Sequence, residues 1–127
     1  MDKRSESIED YLEAMVMLGA TTEHSVRCVD VAIKLDVPKA SVSKAVSNLK
    51  NMGFVTQEHY GTICLTQEGL EYGESVLERH ELLIGFLTKQ LGIPQERAEE
   101  EACKMEHAIS DESFESWRAY IKKVNNE

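Results

Sequence analysis

No apolar run in the 127-residue chain approaches the roughly 18 residues that a membrane-spanning helix needs. The start, Met1-Asp2-Lys3-Arg4-Ser5, lacks the apolar core of a secretory signal. These two absences lead us to expect a cytoplasmic protein. The cysteines Cys28, Cys64 and Cys103 are odd in number and follow no framework spacing, which excludes a disulfide scaffold and agrees with a reducing compartment. There is no internal repeat and no low-complexity segment, and the one charge run is Glu99-Glu100-Glu101. Positive charge is also scarce, with 14 Lys and Arg against 23 Asp and Glu and a net charge of -9. Taken alone, that balance argues against nucleic acid, because phosphate contacts dominate such affinity.

The distribution of charge reverses the argument. Residues 25 to 66 hold Arg27, Lys34, Lys39, Lys44 and Lys50 against Asp30, Asp36 and Glu58, a balance of +2 that leaves -11 for the remainder. Acid is concentrated in the flanks and spares the middle. With 42% hydrophobic and 29% charged residues the chain reads as globular, of a length for one compact domain or two small ones sharing a core.

Helical spacing organises most of the chain. A first helix is expected to start near Ser7, with Asp10 three residues on as in a capping box and with Ile8, Leu12, Met15 and Val16 inward. Val26 to Leu35 reads as a short helix with Val29, Ala32 and Ile33 inward, and Asp36-Val37-Pro38 breaks it. Pro38 then opens a third helix from Lys39 to about Met52, whose Val42, Val46 and Leu49 share one face. Its other face carries Ser41, Ser43, Lys44, Ser47, Asn48 and Lys50, so the pair reads as helix-turn-helix. Gly53 should cap it. Phe54 to Glu58 and Thr62 to Thr66 then form a two-stranded hairpin through His59-Tyr60-Gly61, which after a recognition helix is a wing.

Thr66 can cap a fourth helix reaching about Leu91, with Leu70, Leu77, Ile84, Leu87 and Leu91 in its stripe and His80 among them. Gly69, Gly73 and Gly85 each weaken a helix by about 1 kcal/mol relative to Ala, so close packing is their expected reason. Gly92 ends this helix and Pro94 starts the fifth, with Ala98, Ala102, Met105 and Ile109 inward. Ser110-Asp111 caps a last helix that aligns Phe114, Trp117, Ile121 and Val124. The expected fold is mainly α: an N-terminal winged helix-turn-helix over residues 1–66, then a helical domain over residues 67–127.

Cys103, Glu106 and His107 stand three and four residues apart and so project from one helix edge. Hard, borderline and soft donors together suit a first-row divalent metal better than calcium or magnesium. Asp10, Glu13 and His80 lie on or beside buried faces of other helices and extend the candidate set. With neutral histidines and a thiolate, Asp10, Glu13, Cys103 and Glu106 carry four negative charges, which two divalent cations would balance. Each residue also has a plainer reading. Asp10 suits the positive end of a helix, Glu13 a solvated position, His80 a satisfied core histidine and Cys103 a small buried hydrophobe. The serines and lysines of the third helix suit a surface, and the Phe114 to Val124 stripe suits a core as well as a dimer contact.

The order of segments is more specific than any one of them. Glu9-Asp10-Tyr11-Leu12-Glu13, a winged helix, Arg79-His80-Glu81-Leu82-Leu83 and Cys103-Lys104-Met105-Glu106-His107-Ala108-Ile109-Ser110 together resemble the diphtheria-toxin-repressor family of metal-dependent transcriptional regulators. The resemblance covers nearly the whole chain. It implies a homodimer that binds operator DNA when Mn2+ or Fe2+ is bound and represses genes of metal uptake. Longer members continue into an SH3-like domain where this chain stops, so the short, manganese-regulator type is expected. Asp10 and Glu13 match ligand positions of the manganese branch, and His80, Glu106 and His107 match positions used across the family. Cys103 stands where that branch has glutamate and is similar to the iron-type repressors, which in turn have methionine at the place of Asp10. A thiolate strengthens Fe2+, Co2+ or Zn2+ binding relative to Mn2+, whereas carboxylates suit Mn2+. One or two ions per chain fit such a hybrid set.

The expected mechanism is a clamp. Asp10 and Glu13 belong to the DNA-reading half, and His80, Cys103, Glu106 and His107 to the half nearer the dimer contact at Phe114, Trp117, Ile121 and Val124. Ser41, Ser43, Lys44 and Ser47 are the expected groove contacts, with Lys39, Lys50 and the wing residues His59 and Tyr60 on phosphates. Two other readings remain at this point: a winged-helix regulator not controlled by metal, and a di-metal enzyme, since carboxylate and histidine pairs on helices also build di-iron sites.

Overall fold

The computed structural model describes residues 3–126, and for residues 3–7 the backbone alone. Backbone contacts divide the chain into two compact units, Asp2–Leu77 and Glu78–Glu127.

The first unit holds α1 (Lys3–Met17), β1 (Val26–Arg27), α2 (Cys28–Leu35), α3 (Lys39–Asn51), β2 (Val55–Thr56), β3 (Thr62–Leu65) and the start of α4 (Gln67–Gly85). Leu12 and Met15 of α1, Val31 of α2, Val42 and Leu49 of α3, and Ile63 and Leu65 of β3 are each at most 1% exposed and form the centre of one core. The periodicity of α1 and α3 is therefore spent as their spacing predicts. One boundary differs: α1 already runs from Lys3, so Ser7 lies inside the helix rather than at its cap. Serine and its charged neighbours cost a helix only tenths of a kcal/mol each, too little to force a start at that point.

α2 differs more. Val26-Arg27 is a strand instead of the first helical turn, paired antiparallel with β3 through Val26–Ile63 and Arg27–Thr62. Starting the helix at Cys28 puts Cys28, Val31, Ala32 and Leu35 on the core face at i, i+3, i+4 and i+7. Ile33 falls on the opposite side and is 72% exposed, contrary to the inward position expected for it. Asp36 ends α2 in the left-handed region at φ 54°, its N–H donating to Ile33 O at 3.2 Å and that of Val37 to Ala32 O at 3.0 Å. Pro38 precedes α3, and Gly53 at φ 81° closes it, with Phe54 N–H reaching back to Leu49 O at 2.9 Å.

The expected hairpin forms from β2 and β3, and β1 adds a third antiparallel strand to it, giving the order β1-β3-β2. An isolated hairpin is marginal in water, and β1 covers one edge of it. Val55 pairs with Leu65 and Thr56 with Cys64, and Gly61 turns the chain at φ 86°. Thr66 then caps α4: its hydroxyl accepts from Gly69 N–H at 3.0 Å and donates to Gly53 O at 2.7 Å. A Cβ at Gly69 would collide with the Phe54 carbonyl, and one at Gly73 would meet the Val16 side chain at 2.7 Å. Close packing thus accounts for these two glycines. It does not account for Gly85, where a Cβ meets nothing within 4 Å.

The second unit holds the end of α4, a π-helical turn (Phe86–Gln90), α5 (Gln95–Ala108) and α6 (Asp111–Asn125). Its core is Leu83, Leu87, Ala98, Ala102 and Phe114. The wide turn is closed by Leu91 N–H to Phe86 O at 3.3 Å, while the Thr88 hydroxyl donates to Ile84 O at 2.9 Å. One residue added to a turn rotates the downstream side chains by about 100°. Leu87 is accordingly buried, whereas Leu91, expected in the same stripe, is 57% exposed. Ser110 caps α6, accepting from Ser113 N–H at 3.1 Å. Among the described residues no helix is long and apolar enough to cross a membrane.

Candidate functional site: a metal centre and a nucleic-acid interface

In the second unit the last two turns of α5 bring Cys103, Glu106 and His107 together. One ligand atom from each lies within 4.8 Å of the others. Glu106 is wholly buried, His107 is 3% exposed and Cys103 is half-buried. Their neighbour from α4 is His80, whose Nδ1 stands 3.1 Å from Glu106 Oε2, and His107 Nε2 stands 3.5 Å from Glu106 Oε1. Neither oxygen of Glu106 receives a hydrogen bond. Burying a carboxylate without donors costs several kcal/mol, and the surrounding groups here are two imidazoles and a thiol, all good ligands for a divalent transition metal. The residues fit a metal by their chemistry, and the buried carboxylate without donors is the sign of it.

In the first unit α1 places Asp10, half-buried, and Glu13, 9% exposed, three residues apart on one edge. Glu9, one turn before Glu13 and equally buried, accepts a hydrogen bond from Tyr72 Oη of α4 at 3.1 Å, and Tyr72 packs edge-on against Phe54. Glu9 is not among the residues that spacing singled out, although its four-residue offset from Glu13 places both on one face. Burial also pushes the Tyr11 phenol up from its ordinary value.

The same unit carries the expected nucleic-acid face. Lys39, Ser41, Ser43, Lys44, Ser47 and Lys50 are all exposed on α3, and His59 and Tyr60 are exposed at the tip of the wing, Tyr60 fully. Between α3 and the wing runs an open groove of about 630 Å³ whose lining includes Lys39, Ser43, Ser47, Tyr60, Arg27 and Gln57. Arg27 and Gln57 are additions to the expected face. Apolar spacing puts Arg27 in a helix, and only its strand pairing turns it toward this groove. Cys28 also lines the groove, and burial pushes its thiol up despite an opposing backbone hydrogen bond, so it stays protonated at neutral pH.

Of the stripe expected at the dimer contact, Phe114 and Ile121 are buried within the protomer at 2% and 1%, while Trp117 and Val124 are half-buried. Two guanidinium groups lie over the Phe114 ring, Arg79 at 4.9 Å and Arg118 at 5.1 Å from its centre. Burial works against the Arg118 charge, but hydrogen bonds to Glu78 and Glu115 outweigh it and hold the group above its ordinary value. Phe86 packs edge-on against both Trp117 and the exposed Tyr120.

A winged helix-turn-helix in one unit and a nitrogen, oxygen and sulfur donor set in the other define a class: DNA-binding regulators that answer to a divalent metal. The family model described as iron dependent repressor, N-terminal DNA binding domain, matches residues 3–63, and that described as iron dependent repressor, metal binding and dimerisation domain, matches residues 66–126. An uncharacterised helix-turn-helix-type transcriptional regulator of Methanocaldococcus jannaschii is 34% identical over 122 residues, covering 96% of this chain and 98% of the relative. The transcriptional regulator MntR of Escherichia coli is 32% identical over 120 residues, covering 94% of this chain and 76% of the relative. A solved manganese-dependent transcriptional repressor in complex with manganese is similar with a TM-score of 0.78 at 26% identity, over 91% of this chain. The match takes in 52% of that structure, so the chain spans about half its length. The chain belongs to the iron-dependent repressor family, the diphtheria-toxin-repressor and manganese-regulator type of metal-responsive, DNA-binding transcriptional repressors.

Proposed function

We propose that this chain acts in the cytoplasm as a homodimeric repressor of manganese or iron homeostasis genes, binding operator DNA when Mn2+ or Fe2+ is held by its own residues. It works by binding and not by turnover. Residues 1–66 serve as the DNA-binding domain and residues 67–127 as the metal-binding and dimerisation domain. The carrying observation is Glu106, a wholly buried carboxylate without a hydrogen-bond donor, beside His80, Cys103 and His107. Asp10 and Glu13 of the DNA-reading half would supply the further donors for one or two divalent ions. A metal held by donors of both halves would tie the DNA-reading half to the dimer half.

Two recognition helices must sit roughly 34 Å apart to enter successive major grooves, so limiting their motion raises operator affinity. By linkage, DNA tightens metal binding by the same factor. Ser41, Ser43, Lys44 and Ser47 make the groove contacts, and Lys39, Lys50, His59 and Tyr60 meet phosphates. On α6 the edge with Trp117 and Val124 meets the partner, with Phe114 and Ile121 supporting it from beneath. The test is a titration of the full chain on a duplex selected from random sequence with Mn2+-loaded protein, at fixed salt, against Mn2+, Fe2+ and Zn2+. Affinity should rise about tenfold or more with metal, and Glu13→Ala or His107→Ala should abolish the rise. Binding that ignores metal in the wild type, or metal dependence kept in both variants, overturns the proposal.

A further inference from the structure

We propose that Arg79 is a positioning residue that sets the distance between the metal-ligating edges of α4 and α5 by gripping the backbone of Glu106. The inference rests on the metal reading above. Arg79 immediately precedes His80 on α4. Its Nη1 donates to Glu106 O at 2.9 Å and to Ile109 O at 3.2 Å, and its Nη2 meets Asp111 Oδ1 at 2.5 Å. The last carbonyls of a helix have no partner within it, and here α5 ends at Ala108 with Ile109 already extended at ψ 128°. The guanidinium supplies the missing donors from a different helix.

The three contacts differ in weight. Asp111 is 97% exposed, so its ion pair with Arg79 is screened and contributes little. The Arg79 side chain is 13% exposed, and its face lies over the Phe114 ring, which holds the plane of the group. The two carbonyl contacts are thus the ones that act in a protected place. Glu106 is thus held at its backbone by Arg79, while His80, the residue after Arg79, brings its Nδ1 to 3.1 Å from the Glu106 carboxylate. A shift of the Arg79 fork would change the separation of the His80 and Glu106 donors. A lysine has the charge but no planar fork and cannot span both carbonyls in the same way.

The experiment uses the full chain with Arg79→Lys, Arg79→Gln and Asp111→Asn. Thermal melting by circular dichroism reports folding, Mn2+ affinity is read from the free-ion electron paramagnetic resonance signal, and coordination from the visible absorption bands of bound Co2+. Partners that orient metal ligands from behind typically change affinity 10- to 100-fold. Arg79→Gln and Arg79→Lys should therefore melt cooperatively yet bind Mn2+ about tenfold or more weakly and show displaced Co2+ bands, with Asp111→Asn like the wild type. Unchanged Mn2+ affinity and Co2+ bands in folded Arg79→Lys overturn the proposal, as does a lowered melting temperature with both readouts intact. If Arg79→Gln fails to fold, Arg79→Lys decides alone. A wild-type chain that binds neither ion sinks the metal reading itself, which is a different result from a wild type that binds and variants that do so equally well.

Discussion

Replacing Glu106 with Gln should stabilise the metal-free protein and remove its stabilisation by metal. The side chain is 0% exposed and neither oxygen accepts a hydrogen bond. An unsatisfied buried polar group costs about 1–3 kcal/mol, and more when charged. Glutamine keeps the volume, drops the charge and brings an amide that can donate to His80 Nδ1 or His107 Nε2, which stand 3.1 and 3.5 Å from the present oxygens. A neutral carboxamide carries no uncompensated charge into the interior, so the exchange is favourable. A gain of about 1–3 kcal/mol raises Tm by roughly 4 °C per kcal/mol in a domain of this size. The wild type should gain about 2.7 kcal/mol from Mn2+ at a hundred times its Kd, and the variant almost none. Melting in chelator and in saturating Mn2+ gives all four values. The reasoning fails if the variant melts below the wild type in chelator, because the carboxylate would then be contributing stability without any metal. It fails equally if the variant keeps the full Mn2+ shift.

Gly69→Ala should lower the urea midpoint, since a Cβ there meets a backbone carbonyl that cannot step aside; the overpacking cost of about 1–3 kcal/mol exceeds the gain of about 1 kcal/mol from helix propensity. An unchanged or higher midpoint would show that the Phe54 backbone and α4 are not packed this closely. Arg27→Ala should weaken operator binding on every sequence alike and flatten the slope of log K against log salt by about one, as the loss of one phosphate contact does. A change in sequence preference with the slope intact would mean that Arg27 reads a base instead.

Where side-chain identity repeats at a fixed period, the fold was legible. Val42, Val46 and Leu49 are buried, Gly53 and Thr66 cap as their chemistry dictates, and Cys103, Glu106 and His107 meet because three and four residues make one helix edge. Illegible features are those decided by a partner distant in sequence. Val26-Arg27 is short enough to read as a helical turn, and only β3, some 36 residues later, makes it a strand. Leu91 follows the leucine spacing, but Thr88 can bond back to the Ile84 carbonyl and support a wide turn that rotates Leu91 outward. Phe114 and Ile121 show how one stripe can serve a core before it serves a surface, since apolar periodicity states which face is buried and not what buries it. Arg79 is the limiting case. Its partners in a protected place are carbonyl oxygens of Glu106 and Ile109, groups that every residue possesses, so no residue type at those positions announces the contact. Candidate ligands are written in side chains and their shared helix edge follows from spacing, but contacts such as that of Arg79 are partly written in backbone, which carries no letters.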